Sequence, residues 1–457
     1  MAASKRKFED ESTPGAGSSH ANSYQPGGFT SESLAKHRRT ASGSDFSTYD
    51  IKHALDMPVS APHHVPLPLP APVPPPAERM PDLLELLDFS QLESQKDISA
   101  RFEELASQLL HNYRIEVGSG GKSEQLEILE LEFYLYKAGS HEDAFTHASD
   151  EQSQSGRWYF HRPPRRSNDP PTLAAGPSGY RGGTRKGLDL TIGRPARSVA
   201  SKYFSPARAT SGASSSNPEP VLRGGILLRS IRRVSDSKVI SGPSLLVDEV
   251  LRLSGASEIL ELVAVNWDSD IAAFPPTPLP PQRASTMWLR RVSPEADTAS
   301  ESTKKRASSS KSRIFRSPRI GLDISHPSIA PATALSHPRV TFISQPYRFF
   351  VSPHLLTVNG RGQTFLGVYD ALQERGNCEN DEELIGELVR LTGVKGPTAM
   401  KYLSAFRSGL EGDGGVEEWI GPKGKKVLSS ITSWLKMMGT LRRLQATTST
   451  PQASGTL

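Results

Sequence analysis

Apolar residues in the middle of the chain recur at two spacings. In residues 98–110 they return every three or four positions, which predicts a helix that is buried along one face. In LEILELEFYLY, residues 126–136, they alternate with other residues, which predicts a strand. The apolar positions of this strand are even-numbered before Glu130 and odd-numbered after it. A β-bulge near Glu130 would explain this change of phase, because a bulge adds one residue to one strand.

Strand and helix patterns continue along the following region. A helix is predicted in SGPSLLVDEVLRLSG, where Pro243 falls at an early helical position. Short predicted strands lie on either side of it, separated by Ser- and Pro-rich stretches. These patterns indicate an α+β fold with many strands and with interruptions between them. The further predicted strands are GGILLRSIRRV, STMWLRRV, SPRIGLDIS and QPYRFFV.

Composition divides the chain into three predicted regions. Residues 1–80 are rich in Ser, Gly and Pro and poor in aliphatic residues, which predicts a disordered, basic and proline-rich tail. Residues 81–360 are predicted to form the main domain, and residues 376–445 a helical C-terminal extension. Disordered insertions in the main domain are predicted near residues 163–177, 195–219, 267–285 and 294–313.

Charge and cysteine content exclude several classes of protein. The 457-residue chain has a net charge of +5, but residues 155–233 alone carry 15 Lys and Arg against 3 acids. Such an excess is typical of a polyanion-binding surface, although a solvated basic linker would also produce it. The single cysteine, Cys378, excludes an intramolecular disulfide and a Cys-only zinc site. No apolar run is long enough to cross a membrane, so no membrane partner is expected.

Two short basic clusters in the N-terminal tail are candidate nuclear import signals. They are KRK at residues 5–7 and HRR at residues 37–39. The N-terminus lacks the apolar segment of a secretory signal. The predicted location is therefore the nucleus.

Most motifs of hydrolytic enzymes are absent from the sequence. There is no P-loop, GxSxG or HExxH motif, and Cys378 has no neighbouring histidine that could activate it as a nucleophile. His141, Asp143 and His147 share a predicted loop but lack a strong further ligand. We therefore expect no metal site and no cofactor.

Two glutamates in the middle of the predicted strand are the remaining chemical signal. Glu130 and Glu132 face the same side if the strand alternates strictly. Two carboxylates facing one pocket repel each other, which raises the pKa of one of them and suits it to act as a general base. Solvent exposure of both side chains is the commoner arrangement for strand glutamates, and periodicity alone favours it.

A series of short motifs runs through the middle of the chain. They are, in chain order, ELEFY, DAFTHAS, GRWYFHR, GGTRKGLDLTIG, ILLRS, SGPS, MWLRR, PRIGLD and YRFFV. Their order resembles the 3-methyladenine (alkyladenine) DNA glycosylase family, and SGPS, which opens the predicted helix at Pro243, matches that family without a break. The resemblance covers about half of the chain, residues 100–355 without the insertions.

The resemblance implies a fold and a reaction. The family's fold is a single mixed domain around an antiparallel sheet, and its members flip a damaged base out of the duplex before they cut its N-glycosidic bond. By this resemblance Glu132 is the base that activates water, and Glu130 is its structural neighbour. Tyr134 and His147 match the residues that stack on the flipped base. No lysine matches the site, which implies a monofunctional glycosylase.

Several positions depart from the family's pattern or remain open. His161 falls near a position where the family has a stacking tyrosine. Asp189 replaces an asparagine of the family, so an amide that can donate a hydrogen bond is replaced by a carboxylate that only accepts. The residue that fills the gap left by the flipped base is Tyr180 or Arg181, and Tyr180 is preferred of the two. A packed turn aromatic is the equally weighted alternative for Tyr180. Arg229 matches an arginine that contacts DNA, and a surface strand arginine is its alternative.

The C-terminal LTGVKGPTA resembles the hairpin of helix-hairpin-helix modules, which bind DNA phosphates through backbone N–H groups. Its glycines are displaced from the usual positions, and an ordinary helical hairpin is the alternative reading.

These expectations combine into one leading hypothesis. The chain is predicted to be a monomeric nuclear DNA repair glycosylase that binds double-stranded DNA and excises a modified purine through water activated by Glu132. The first alternative is a catalytically inactive nucleic-acid-binding protein on the same scaffold, which the departures at His161 and Asp189 favour. A hydrolase of free nucleosides or other N-glycosides is a third reading.

Overall fold

The computed structural model describes most of the chain from Asp82 onward. The predicted N-terminal tail with its two basic clusters, and most of the four predicted insertions, lie outside the described residues. Residues 267–276 were predicted to begin an insertion, but they are described, and Trp267 among them is only 2% exposed. Trp267 therefore packs in the core rather than in a disordered insertion. The described residues are 82–147, 149–162, 179–195, 221–276, 283–292, 311–356, 359–376 and 378–449.

The described residues form a mixed α/β fold around an antiparallel sheet. The strands are β1 Tyr113–Ser119, β2 Lys122–Lys137, β3 His141–Glu142, β4 Trp158–Phe160, β5 Leu188–Ile192, β6 Leu222–Arg233, β7 Val239–Ser241, β8 Ser285–Arg291, β9 Phe315–Ser317 and β10 Arg348–Phe350. The main path of the sheet has the order β4-β5-β6-β2-β1-β8. Strand β10 also pairs with β2, β9 with β10, β3 with β2, and β7 with β6.

The helices form two groups, one packed on the sheet and one near the C-terminus. The α-helices are α1 Leu83–Leu86, α2 Gln95–His111, α3 Pro243–Ser254, α4 Ile259–Glu261, α5 Pro338–Ile343, α6 Arg361–Gln373, α7 Asp381–Thr392, α8 Gly396–Glu411, α9 Gly421–Val427 and α10 Ile431–Ser449. Single 3₁₀ turns lie at Asp150–Ser153, Gly183–Arg185, Pro331–Ser336 and Pro353–Leu355, and a π turn lies at Leu262–Asn266. Among the described helices, none has both the length and the apolar character that crossing a bilayer requires.

The long strand β2 contains the irregularity that its sequence predicted. Its pairing with β6 shifts register on both sides of Glu130. The extra residue lets Ile128 and Leu131 face the same apolar core, although an odd number of positions separates them. The residues that alternate with the second apolar set, Glu132 and Tyr134, consequently face the other side of the sheet.

Helices α2 and α3 cover the apolar face of the sheet. Phe102 of α2 stacks on Phe133 of β2, with 4.4 Å between ring centroids. Ser94 caps the N-terminus of α2, and its hydroxyl accepts a hydrogen bond from the backbone N–H of Asp97 at 3.0 Å. In α3, Leu246 is among the residues fully buried in the same core. The side chains of Glu132 and Asp189 project from the opposite face of the sheet.

The C-terminal helices share a second core with two strands of the sheet. Leu129 of β2 and Phe350 of β10 belong to the same buried cluster as residues of α6, α7, α8 and α10. Helix α6 had no counterpart among the predicted helices. In α6, Gly367 approaches β9 so closely that a Cβ atom would lie 2.4 Å from the backbone oxygen of Arg316. The helical region is thus packed onto the sheet through α6.

Two glycines give a test of how closely α8 and α10 pack. A Cβ atom on Gly409 would lie 2.0 Å from the backbone oxygen of Lys436, whereas one on Gly386, within α7, would meet no atom within 4 Å. We expect Gly409→Ala to lower the free energy of unfolding by about 1–3 kcal/mol through overpacking. Gly386→Ala should raise it by up to about 1 kcal/mol, because alanine is the better helix former. Chemical denaturation measures both, and equal effects would contradict the packing described.

Candidate functional site

One row of residues crosses the sheet on the face opposite α2 and α3. Tyr159 of β4 pairs with Asp189 of β5, which pairs with Leu227 of β6. Leu227 pairs with Glu132 of β2, and Glu132 pairs with Arg348 of β10. Directly opposed residues of antiparallel strands project to the same face. Sequence positions more than 200 residues apart therefore meet on one surface.

Glu132 is completely buried, with 0% of its surface exposed. Its Oε1 accepts a hydrogen bond from the backbone N–H of Ile320 at 2.7 Å. Its Oε2 accepts one from the hydroxyl of Tyr134 at 2.8 Å and one from Arg229 at 3.3 Å. The solvent-facing arrangement that periodicity favoured is therefore wrong, and both carboxylate oxygens have fixed partners.

Glu130 is also buried, and two arginines and a serine hold it. Its Oε1 accepts hydrogen bonds from Nε of Arg348 at 2.6 Å and from Nε of Arg229 at 3.2 Å, and Ser230 donates to Oε2 at 2.5 Å. Burial by itself would raise the pKa of Glu130, but Arg348 and Arg229 outweigh it and lower that pKa. The expected repulsion between two carboxylates is thus compensated by cations, and Glu130 is the ionised structural neighbour.

Arg229 lies between the two carboxylates and is only 7% exposed. Burial would lower the pKa of Arg229, whereas Glu132 and then Glu130 raise it, and the net shift is upward. The guanidinium orients both carboxylates. The predicted contact of Arg229 with DNA does not match this position, because its charge is already neutralised inside the protein.

Arg319 completes this group from the irregular segment after β9. It forms a fully buried ion pair with Asp143, with Nη1 2.5 Å from Oδ2. Its guanidinium lies 4.4 Å from the centroid of the Tyr134 ring. Burial, and then the neighbouring carboxylate of Glu132, raise the pKa of the Tyr134 hydroxyl well above its ordinary value, so this hydroxyl remains a donor.

Arg319 and Arg348 were not predicted as site residues. Both lie in segments, PRIGLD and YRFFV, that carried the family resemblance. Those segments were the available signal, but the partner of an arginine in a short segment is decided only by the folded structure.

A second group, His147, His161 and Asp189, lies further along the same face of the sheet. The Nε2 atom of His161 is 2.8 Å from Oδ1 of Asp189, and the rings of His147 and His161 are 4.4 Å apart in an edge-on arrangement. Burial, and then the nearby His161, lower the pKa of His147 to about 4. The imidazole of His147 is therefore neutral at physiological pH.

The predicted site residues thus form two groups on one face rather than a single contact cluster. Glu132 and Tyr134 belong to the first group, and His147, His161 and Asp189 to the second. Leu227 stands between Glu132 and Asp189 in the row, so their Cα atoms are two strand spacings apart, or about 10 Å. That separation is of the order of a nucleoside.

Tyr180 and Arg181, the two candidates for the intercalating residue, lie beside the second group. The guanidinium of Arg162 lies 4.2 Å from the ring centroid of Tyr180, and Phe160 contacts that ring edge-on. Arg181 donates a hydrogen bond from Nε to the backbone oxygen of Arg162 at 2.9 Å. Tyr180 is therefore a packed turn aromatic in this conformation, and an intercalating role stays a prediction for either residue.

The predicted C-terminal hairpin is present as α7, a short turn and α8. Gly393 ends α7 in the left-handed conformation, with φ of 69°, and α8 begins at Gly396. Lys395, which precedes α8, is exposed. This geometry fits a DNA-binding hairpin as well as an ordinary helical hairpin. Binding of the hairpin to DNA therefore stays a prediction.

Comparison with known proteins finds one distant relative and no family. No family model matches the chain. A protein of Acanthamoeba polyphaga mimivirus, Uncharacterized protein L759, is 28% identical over 169 residues. The alignment covers 35% of this chain and 61% of the viral protein, so it spans less than two thirds of that relative. The name of the viral protein states no activity.

Proposed function

We propose that the protein is a DNA glycosylase that removes a modified purine by hydrolysis, with Glu132 as the general base. The observation that carries this proposal is a buried glutamate with oriented partners, set on the same sheet face as the imidazoles and Asp189. The motif order that resembles alkyladenine DNA glycosylases supports the same reaction.

The contacts of Glu132 suit the transfer of a proton from water. Ile320, Tyr134 and Arg229 donate hydrogen bonds to the carboxylate and fix its direction. In the proposed reaction the oxygen of water bonds to C1′ of the deoxyribose, and the bond from C1′ to the base nitrogen breaks. The leaving base takes the electron pair of that bond, and the water proton passes to Glu132.

Access to Glu132 requires a movement when DNA binds. The backbone N–H of Ile320 covers Oε1 of Glu132. The next residue, Gly321, is exposed, has φ of 79° and has no packing neighbour at its Cβ position, so the chain is unconstrained there. We expect this segment to withdraw from Glu132 as the flipped nucleotide enters.

A non-catalytic nucleic-acid-binding protein is the second candidate. The observation that favours it is the complete burial of Glu132, since a carboxylate with two satisfied oxygens is also a stable structural ion. In that case Glu132 serves the fold only, and the sheet face binds nucleic acid without cutting it.

Base release from defined duplexes tests the proposal. The full chain is incubated with duplexes that carry one 3-methyladenine, hypoxanthine or ethenoadenine, and abasic sites are measured by alkaline strand cleavage. Release from at least one damaged duplex and none from the undamaged duplex is expected. Binding without release would favour the non-catalytic candidate, and release from free nucleosides would favour a nucleoside hydrolase.

A further inference from the structure

Three side chains of the second group are of the types that bind transition metals. One ring nitrogen of His147, one of His161 and one carboxylate oxygen of Asp189 all lie within 4.8 Å of one another. They reach this arrangement from three separate elements: the loop after β3, the end of β4 and the middle of β5. The loop residues considered from the sequence were His141, Asp143 and His147, so only His147 is shared with this group. No metal was expected.

We propose that His147, His161 and Asp189 bind a divalent transition metal ion, and that zinc is the ion their donors fit best. Two imidazoles and one carboxylate form the protein ligand set of many zinc sites that keep a further position open. The proposal concerns metal binding alone and does not depend on base release, because the glycosylase reaction through Glu132 needs no metal.

The distances allow a tetrahedral site after small side-chain rotations. Metal–ligand bonds of about 2.1 Å place tetrahedral donors about 3.4 Å apart. The His161 to Asp189 distance of 2.8 Å is shorter than this value, and the three donor atoms all lie within 4.8 Å of one another. Rotation of the two imidazoles would bring the donors to tetrahedral distances.

A buried glutamine holds one of the three ligands in place. The Nε2 atom of Gln152 donates to Oδ2 of Asp189 at 2.9 Å, which leaves Oδ1 directed at His161. Contacts of this kind from the residues around a site orient metal-binding carboxylates. Gln152 is 1% exposed, and its own Oε1 is buried without a hydrogen-bond partner among the described residues. A buried acceptor without a donor is unfavourable, and a metal-bound water is one donor that would satisfy it.

Two glycines provide the space that these ligands occupy. A Cβ atom on Gly187 would lie 2.4 Å from Nδ1 of His161, and one on Gly225 would lie 2.8 Å from Oδ2 of Asp189. Any other residue at either position would displace a ligand. The backbone next to the group is thus built around the His161 and Asp189 side chains.

The competing explanation is a base-stacking pocket in which His161 and Asp189 form only a hydrogen-bonded pair. These two residues are also the positions at which the chain departs from the resembled family, which has tyrosine and asparagine there. The variant His161→Tyr therefore keeps a flat aromatic side chain and removes one metal ligand. This variant therefore abolishes a metal site but preserves a stacking surface, so it distinguishes between the two.

Metal affinity of the full chain decides between the two. The protein is stripped with a chelator, and zinc is returned in competition with a chromophoric chelator. The chain has 12 histidines, many of them elsewhere, so the readout is the difference between variants. We expect the wild type to bind one more equivalent of zinc with high affinity than the variants His161→Tyr and His147→Ala do. Gln152→Ala should keep that equivalent with about 10–100-fold lower affinity.

A matched control and a spectrum make the result specific. His326 is exposed and lies outside the group, so His326→Ala should bind zinc as the wild type does. Cobalt added in place of zinc should give the visible absorption of a tetrahedral site in the wild type and lose it in His161→Tyr. The proposal is overturned if wild type, His161→Tyr and His147→Ala bind zinc with equal stoichiometry and affinity while circular dichroism shows them all folded.

Discussion

Replacing Glu132 by glutamine is expected to lower the rate of base release by about 10²–10⁴-fold, the usual contribution of a general base. The amide keeps the volume of the side chain, and Arg229 keeps Glu130 as a counter-ion, so the chain should still fold and bind damaged duplex. Some stability should be lost, because the amide N–H₂ replaces an oxygen that accepts a hydrogen bond. The amide cannot accept a proton from water at neutral pH. Single-turnover release of the base from the best duplex substrate measures the effect.

Glu127 supplies a matched control on the same strand. It is partly exposed and pairs with Arg114 and Arg232, away from the buried group. Glu127→Gln should leave the rate of base release unchanged. If Glu132→Gln releases base as fast as the wild type, another group activates the water. If release is lost together with DNA binding and folding, Glu132 has a structural role, as the non-catalytic candidate requires.

Replacing Asp143 by asparagine is expected to lower the free energy of unfolding by about 3–5 kcal/mol. Arg319 and Asp143 are both 0% exposed, so the substitution leaves an arginine buried without its counter-ion. The loss should also disturb Tyr134, over which the guanidinium lies. Urea denaturation followed by far-ultraviolet circular dichroism measures the change.

Two further variants make this second prediction specific. Glu418 and Lys436 form an ion pair in which both side chains are about half exposed, and Glu418→Gln should cost less than about 1 kcal/mol. Combining Asp143→Asn with Arg319→Met should restore much of the lost stability, because no unpaired charge remains. A loss below about 1 kcal/mol for Asp143→Asn would show that solvent reaches Arg319.

Local pattern was sufficient for the regular elements with one apolar face. The helical spacing around Phe102 predicted α2, and the phase change at Glu130 predicted the bulge in β2. Both are local consequences of burying one face of an element, so they are readable along the chain. Helix α6 was missed for the converse reason: buried residues such as Gly362 and Phe365 surround its axis, which removes the amphipathic signal.

The sequence predicted those features of the site that depend on residues only a few positions apart. The sequence alone determined that Glu132 and Tyr134 share a face, and motif order nominated His147, His161 and Asp189. Only the tertiary structure decided which carboxylates are neutralised and which arginines neutralise them. Arg348 contacts Glu130 from 218 positions away in the sequence, and Arg319 contacts Asp143 from 176 positions away. Periodicity determines which side of a strand a residue faces. Strand order and long-range pairing determine whether water or an arginine lies on that side.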